Sequence, residues 1–465
     1  MTPRLWRCAV AGIALSLVDC AHAPTELRPR APDEGLPPHA RGRVVERATP
    51  SGLPGRTTEA PPTAEVSLPA VLTWADRHSP LLLVARATRL RVEAARVAAS
   101  VLQPTNPEVT FAVGPRFGIF GTGVDVEAGV SQQLQLAGER GMRLRAAARL
   151  GELTDAEIEQ IRWSVHAEVH ALFHRVLVEQ ERVRLAEQVS EFQAGVLRVV
   201  ERQAQAGETA PLNARLARAE VAQAGQALVV ARQARNVALL RLAQVAGWPA
   251  ESLPALRGSP DQPQDPPPSA ELEATAERYT PVLRLRAAAV HEAESRVALA
   301  DREAWPRPSV GVQYRREGNP TSEGPYDVVM GTLAVPLPGF QRNQGERARA
   351  RADLAVAEAE LAASRMQLRV QLAEARSEMA AAAARTRAYG TEILPRFAEN
   401  LALLRRSFEV GEIDILALSV GRERFLRIQS DALAAQLDYF VAMAALERLV
   451  GVDLWQDEHP EGRSP

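Results

Sequence analysis

A chain that carries 33 prolines has none between Glu139 and Ala210, and none between Gly339 and Leu394. Proline removes a backbone donor and breaks a helix interior. In so proline-rich a chain, two such runs read as uninterrupted helices of some 60 residues, each reaching ~90 Å at 1.5 Å per residue. That exceeds the width of a compact domain, so each must pack lengthwise against other long helices. Ala-dense segments such as "RARARADLAVAEAELAAS" (347–364) permit close helix approach, and an aromatic content of only 5% suits rods packed through small residues.

Both runs end at a Gly-Glu pair, after which a helical pattern resumes: "QAQAGETAPLNARLARAE" (203–220) and "FEVGEIDILAL" (408–418). Gly207 and Gly411 are 204 residues apart, as are Glu208 and Glu412, Leu212 and Leu416, Arg218 and Arg422, and Gly247 and Gly451. A constant offset is the mark of internal duplication. The first repeat, 66–248, reads as helix 69–103, two strands, helix 139–206, a break and helix 212–246. The second, 270–455, reads as helix 270–304, two strands, helix 345–408 kinked by Pro395, a break and helix 416–450. A proline cluster at 249–269 separates them, and 456–465 is a short tail. At the breaks glycine tolerates the left-handed backbone that ends a helix. Pro211 suits the first turn of the returning helix. The acidic Glu208, Glu412 and Asp414 stand beside a helix N-terminus, where negative charge is favoured.

The strands carry a different period. In "PEVTFAVGPR" (107–116), Val109, Phe111 and Val113 alternate with smaller or polar residues. In "GVDVEAGVSQ" (123–132), Val124, Val126, Ala128 and Val130 alternate with Asp125, Glu127, Gly129 and Ser131. In "PSVGVQYRRE" (308–317), Val310, Val312 and Tyr314 oppose Gly311, Gln313 and Arg315. The fourth, "YDVVMGTLAV" (326–335), is partly apolar on both faces. Period two over about ten residues is the pattern of a transmembrane β-barrel strand. Four strands cannot close a bacterial barrel, which needs at least eight. Several copies must therefore pool their strands in a cyclic oligomer.

The N-terminus reads as a secretory signal: a basic "MTPRLWR", the apolar "CAVAGIALSLV" (8–18), then "DCAHAP". Cleavage after Ala23 would leave Pro24 first, where proline is poorly accepted. The alternative is a lipobox, "LVDC" (17–20), with Cys20 as the lipidated first residue, although Asp19 departs from the small residue usual there. The lipoprotein reading, with 1–20 removed, is preferred. Residues 21–65, rich in proline and poor in apolar residues, read as a tether. At most one cysteine survives processing, so no intrachain disulfide is available. A formal charge of −2 gives no reason to expect a nucleic-acid surface. Beyond the signal, no stretch approaches the ~20 apolar residues of a membrane-spanning helix.

His166, His170 and His174 recur at every fourth residue in "HAEVHALFH", along one helix stripe. Neighbouring pairs could share a transition metal. The preferred reading is a polar stripe facing water or another helix, because no cysteine and no obvious carboxylate completes a site. The HExxH protease signature is absent, as are a Walker loop, a GxSxG elbow and a dinucleotide fingerprint. No enzyme activity and no cofactor are expected.

Taken together, the tips "AGETAPL" and "VGEIDIL", the closing "LLRLAQVAGW" and "ALERLVGVDL", and the passages "QQLQLAGERGMRLRAA" and "VPLPGFQRNQGERARA" resemble the TolC-type outer-membrane efflux family. The resemblance spans roughly 66–455, and the last passage is most similar to the cobalt–zinc–cadmium (CzcC-like) branch. It implies a mainly α fold with membrane β, in which four strands per chain build a trimeric twelve-stranded barrel continuous with a periplasmic helical barrel. It further implies a passive outer-membrane duct that works with a periplasmic adaptor and an inner-membrane pump of the resistance–nodulation–division class. The adaptor-contacting tips fall on Gly207, Glu208 and Thr209, and on Gly411, Glu412, Ile413 and Asp414. Asp125, Glu127 and Arg315 would line the lumen. Metal cations are the first candidate cargo, with drug efflux and type I secretion as alternatives. A reading of another class, a lipid-anchored periplasmic coiled-coil scaffold without a pore, stays open.

Overall fold

The computed structural model describes residues 65–118, 121–207, 210–253, 255–258, 263–318, 326–410, 412–413 and 415–454. All belong to one structural unit, Thr57–Pro465. The expected signal with Cys20, the tether up to residue 64 and the tail at 456–465 lie outside the described residues, as do Glu208, Thr209, Gly411 and Asp414.

The first half runs α1 (Leu68–His78), α2 (Pro80–Ala87), α3 (Arg89–Ser100), β1 (Glu108–Gly118), β2 (Gly121–Gln133), α4 (Glu139–Gln205) and α5 (Pro211–Ala246). The second repeats it with α6 (Ser269–Tyr279), α7 (Pro281–Glu303), β3 (Ser309–Glu317), β4 (Tyr326–Ala334), α8 (Gln344–Ala388), α9 (Leu394–Glu409) and α10 (Ile415–Val450). The single helices expected over 69–103 and 270–304 are in fact segmented. Ser79 and Thr280, each preceding a proline, leave the helical region with ψ 125° and 120°. The ring of the following proline forces this, and the same proline then opens the next helix. In the first half a second break falls at Thr88, whose hydroxyl turns back onto the Ala85 carbonyl at 2.6 Å. At Pro395 the expected irregularity takes the form of a π-helical turn, Tyr389–Ile393. Pro395 has no N–H to offer the Thr391 carbonyl, and a widened turn absorbs that loss.

α4 packs against α3 and α5 of its own half and against α7 and α10 of the other, while α8 packs against α7 and α10. The two repeats are therefore interleaved. Each contributes one large apolar cluster at a corresponding place. In the first, Val71, Trp74 and Leu82 meet Val165, Val169, Phe173 and Val176 of α4 and Leu242 and Ala246 of α5. In the second, Leu272 and Ala276 meet Leu368, Leu372 and Met379 of α8 and Phe440 and Leu446 of α10. Between 184 and 199, by contrast, α4 has no fully buried residue.

The duplication extends to backbone detail. Gly247 and Gly451 end α5 and α10 with φ 73° and 79°. A Cβ on Gly247 would fall 2.0 Å from the His78 carbonyl oxygen, and one on Gly451 would fall 2.5 Å from that of Tyr279. Each glycine seats its helix end on the break before Pro80 or Pro281. Where strand passes to helix, Gly138 and Asn343 both have positive φ, 79° and 55°. Glu139 then accepts from the Ala137 N–H at 3.0 Å, as Gln344 does from Arg342 at 2.7 Å.

The four strands form one antiparallel sheet in the order β1-β2-β3-β4. Among the described residues, β1 and β4 each have one unpaired edge. Part of the 249–269 separator is ordered against the first repeat: Val66 bridges Leu256, with Val66 N donating to Ala255 O at 2.8 Å and Arg257 N to Val66 O at 3.0 Å.

Candidate functional site

The pleat sorts the side chains of the sheet onto two faces. Register places Val109, Phe111 and Val113 beside Val130, Ala128 and Val126. Val130 and Ala128 in turn face Val312 and Tyr314, and Val310 and Tyr314 face Leu333 and Val329. The result is an apolar surface continuous across four strands, and most of it is bare: Val109, Phe111 and Val329 are each at least 70% exposed. The fourth strand, partly apolar on both faces in sequence, is settled by this pairing. Leu333 and Val329 join the apolar face, and Thr332 and Met330 the other. On β3 and β4 the apolar face ends in polar groups, where the Tyr314 hydroxyl donates to Asp327 Oδ1 at 2.7 Å and Arg316 lies 4.0 Å from the same carboxylate.

The opposite face gathers the charges. Asp125, Glu127 and Arg315 do share it, as their alternation predicts. Glu127 pairs across β2 and β3 with Arg315 at 3.2 Å. Asp125 is held by Arg116 at 3.0 Å and accepts the Gly318 N–H at 2.9 Å. Arg116 also reaches Glu317 at 3.0 Å. Arg116 and Glu317 thus belong to the same cluster of two arginines and three carboxylates. Sequence reasoning passed them over, although period two from Gly114 and from Arg315 would have found both.

At the tips, Gly207 has φ 77° and closes α4 with its N–H on the Ala204 carbonyl at 3.2 Å. The second break is closed differently, by Glu412 N on the Ser407 carbonyl at 2.8 Å. Among the described residues, nothing lies within 4 Å of the place a Gly207 side chain would take. Glu412 and Ile413 are described; their neighbours Gly411 and Asp414 are not. Arg218 and Arg422, equivalent by offset, have diverged. Arg218 pairs with Glu201 at 2.8 Å, whereas Arg422 lies over the Phe192 ring at 3.6 Å, joining α10 to α4.

The histidine stripe faces a neighbouring helix, as preferred, but the expectation that no carboxylate completes it is overturned. Glu447 of α10, 2% exposed, points at the stripe. His170 Nδ1 lies 3.1 Å from its Oε2 and His166 Nε2 3.9 Å from the same oxygen. Asp453 approaches His166 Nε2 from the solvent side at 3.1 Å, and that hydrogen bond holds the Asp453 carboxyl below the usual range. His174 is no part of this cluster. It is buried and stacked on Phe440, with ring centroids 3.5 Å apart, and burial, then His170, pushes it down to about 3.

No helix among the described residues is long and apolar enough to cross a membrane. A family model described as outer membrane efflux protein matches residues 78–248 and 275–452, one segment in each repeat. The chain is 24% identical over 324 residues to the cobalt-zinc-cadmium resistance protein CzcC of Cupriavidus metallidurans, an alignment covering 68% of this chain and 75% of that protein. A membrane protein from Pseudomonas aeruginosa shares its fold with a TM-score of 0.65 at 16% identity, over 84% of this chain and 91% of the other. The CmeC outer membrane channel of Campylobacter jejuni gives 0.64 at 11% identity, over 84% and 87%.

Proposed function

The chain belongs to the outer membrane efflux protein family, and on that premise we propose that it is the exit duct of a tripartite pump for divalent metal cations, assembled as a homotrimer. Three four-stranded sheets close one twelve-stranded barrel, and the paired helices continue the conduit into the periplasm. The duct is passive. Its energy comes from an inner-membrane pump of the resistance–nodulation–division class, coupled through a periplasmic adaptor that grips Gly207, Glu208 and Thr209 and Gly411, Glu412, Ile413 and Asp414.

The observation that carries this reading is the sheet, bare and apolar on one face, charged on the other and unpaired at both edges. In hydrocarbon an unpaired backbone group costs several kcal/mol. A four-stranded sheet is therefore untenable in lipid until other copies cover its edges. With the apolar face toward lipid, Arg116, Asp125, Glu127, Arg315 and Glu317 face the lumen and keep it wet. A scaffold without a pore would need no such band. Metal cargo is inferred from the likeness to a cobalt-zinc-cadmium resistance protein.

Two measurements test the two levels separately. Purified in mild detergent, the protein should run as a trimer and conduct ions across a planar bilayer; a monomer that conducts nothing overturns the duct. In a strain lacking the gene, sensitivity to cobalt, zinc and cadmium should rise and be restored by the wild-type chain. Unchanged metal tolerance would remove the cargo while leaving the duct in place.

A further inference from the structure

We propose that His166, His170 and Glu447 form a binding site for one first-row divalent transition-metal ion, which clamps the first repeat to the second. The proposal does not rest on the cargo inferred above, since a duct for any solute could carry such a clamp.

One turn of α4 sets His166 and His170 on the same stripe, and α10 brings Glu447 against them from the other repeat. One donor atom from each, two imidazole nitrogens and a carboxylate oxygen, lies within 4.8 Å of the others. Around a zinc-like ion with bonds of ~2.0–2.2 Å, tetrahedral donors stand about 3.3 Å apart. Two of the three edges already measure 3.1 and 3.9 Å. Small rotations of His166, the less buried of the two rings, would close the third. Asp453 Oδ1, 3.1 Å from His166 Nε2, lies on the solvent side of these three, where water can fill the remaining position. Two imidazoles and a carboxylate with one further position are a donor set that zinc and its neighbours favour over calcium or magnesium.

The charge balance points the same way. Glu447 is buried, and among the described residues its ion pairs are with His166 and His170 alone. A buried carboxylate needs a cation. An imidazole supplies one only by taking up a proton, whereas a metal ion neutralises it directly. The remaining oxygen, Oε1, accepts the Leu454 N–H at 3.2 Å, which fixes the carboxylate's orientation as an outer hydrogen bond does for a ligand.

The test is titration of the tag-free full chain in detergent, first stripped with EDTA. Zinc chloride should give a saturable isotherm with one ion per chain, and cobalt(II) chloride a visible spectrum of imidazole and carboxylate ligation. His166→Ala and Glu447→Gln should each weaken binding at least tenfold. Both are chosen to fold: His166 is at the rim, and glutamine can still accept from Leu454. Circular dichroism checks them. Isotherms indistinguishable among wild type and both variants would overturn the proposal and leave a hydrogen-bonded histidine–carboxylate pair. So would wild-type protein that takes up no zinc or shows no cobalt spectrum, a readout that stands whether or not the variants fold.

Discussion

His174 stands one turn beyond the cluster, on the same stripe, yet it has the opposite character. It is 5% exposed, lies flat against Phe440, and its Nδ1 finds no hydrogen-bond partner among the described residues. In the unfolded chain it takes up a proton near pH 6.5, in the folded protein only near 3. The unfolded state therefore binds the extra proton first. The stability carried by the neutral ring is complete above about pH 6.5 and is lost as pH falls through that window, at about 1.4 kcal/mol per pH unit. His174→Leu should flatten this acid-side loss. Denaturant midpoints at pH 7.5, 6 and 5, in EDTA, should fall more steeply for wild type than for the variant, and parallel lines would show that the ring titrates normally. The helical spacing made the stripe legible in sequence, but not its division into roles. Which histidine meets a carboxylate depends on Glu447, 277 residues away from His170 along the chain. No local pattern carries that information.

Among the elements, the long helices were legible because no proline interrupts them over some 60 residues, and three of the four strands because they alternate with period two. α4 and α5 start and stop within a residue of the expected bounds, and the sheet register follows the alternation read from the residues. What escaped was segmentation near Pro80 and Pro281, where a helix-compatible residue pattern continues across a backbone break. That break has a partner. The ends of α5 and α10 press onto it through Gly247 and Gly451, with no room for a side chain. Gly247→Ala would add the strain of a left-handed alanine, about 1–2 kcal/mol, to a collision with the His78 carbonyl that only backbone movement can relieve. A loss of about 3 kcal/mol or more is expected. Gly207→Ala, with a similar φ of 77° but open space around it, should cost only the conformational part. Equilibrium unfolding of the two variants separates the terms. Equal losses would mean that the contact at His78 gives way freely.

For the whole molecule, the decisive quantity is the cost of putting one chain's sheet into lipid. β1 and β4 leave their outer backbone groups unpaired, so a lone chain gains nothing by inserting until neighbours complete the ring. Insertion and assembly should then fail together, and a single substitution can discriminate between faces. Val113 lies mid-strand on the apolar face, 63% exposed, and Ala112 lies on the charged face opposite Glu127. A lysine near the bilayer midplane costs ~2–4 kcal/mol, which a symmetric trimer carries three times, or ~6–12 kcal/mol. Val113→Lys should abolish the trimer and leave the protein out of the outer-membrane fraction. Ala112→Lys, one residue away, gains Glu127 as a partner and should leave both intact while shifting the ion selectivity of the conductance toward anions. Fractionation and a gel run under mild detergent read the first pair of outcomes, and bilayer reversal potentials the second. Equal tolerance of the two lysines would mean that neither face meets lipid, returning the molecule to a scaffold whose strands merely cap its helices.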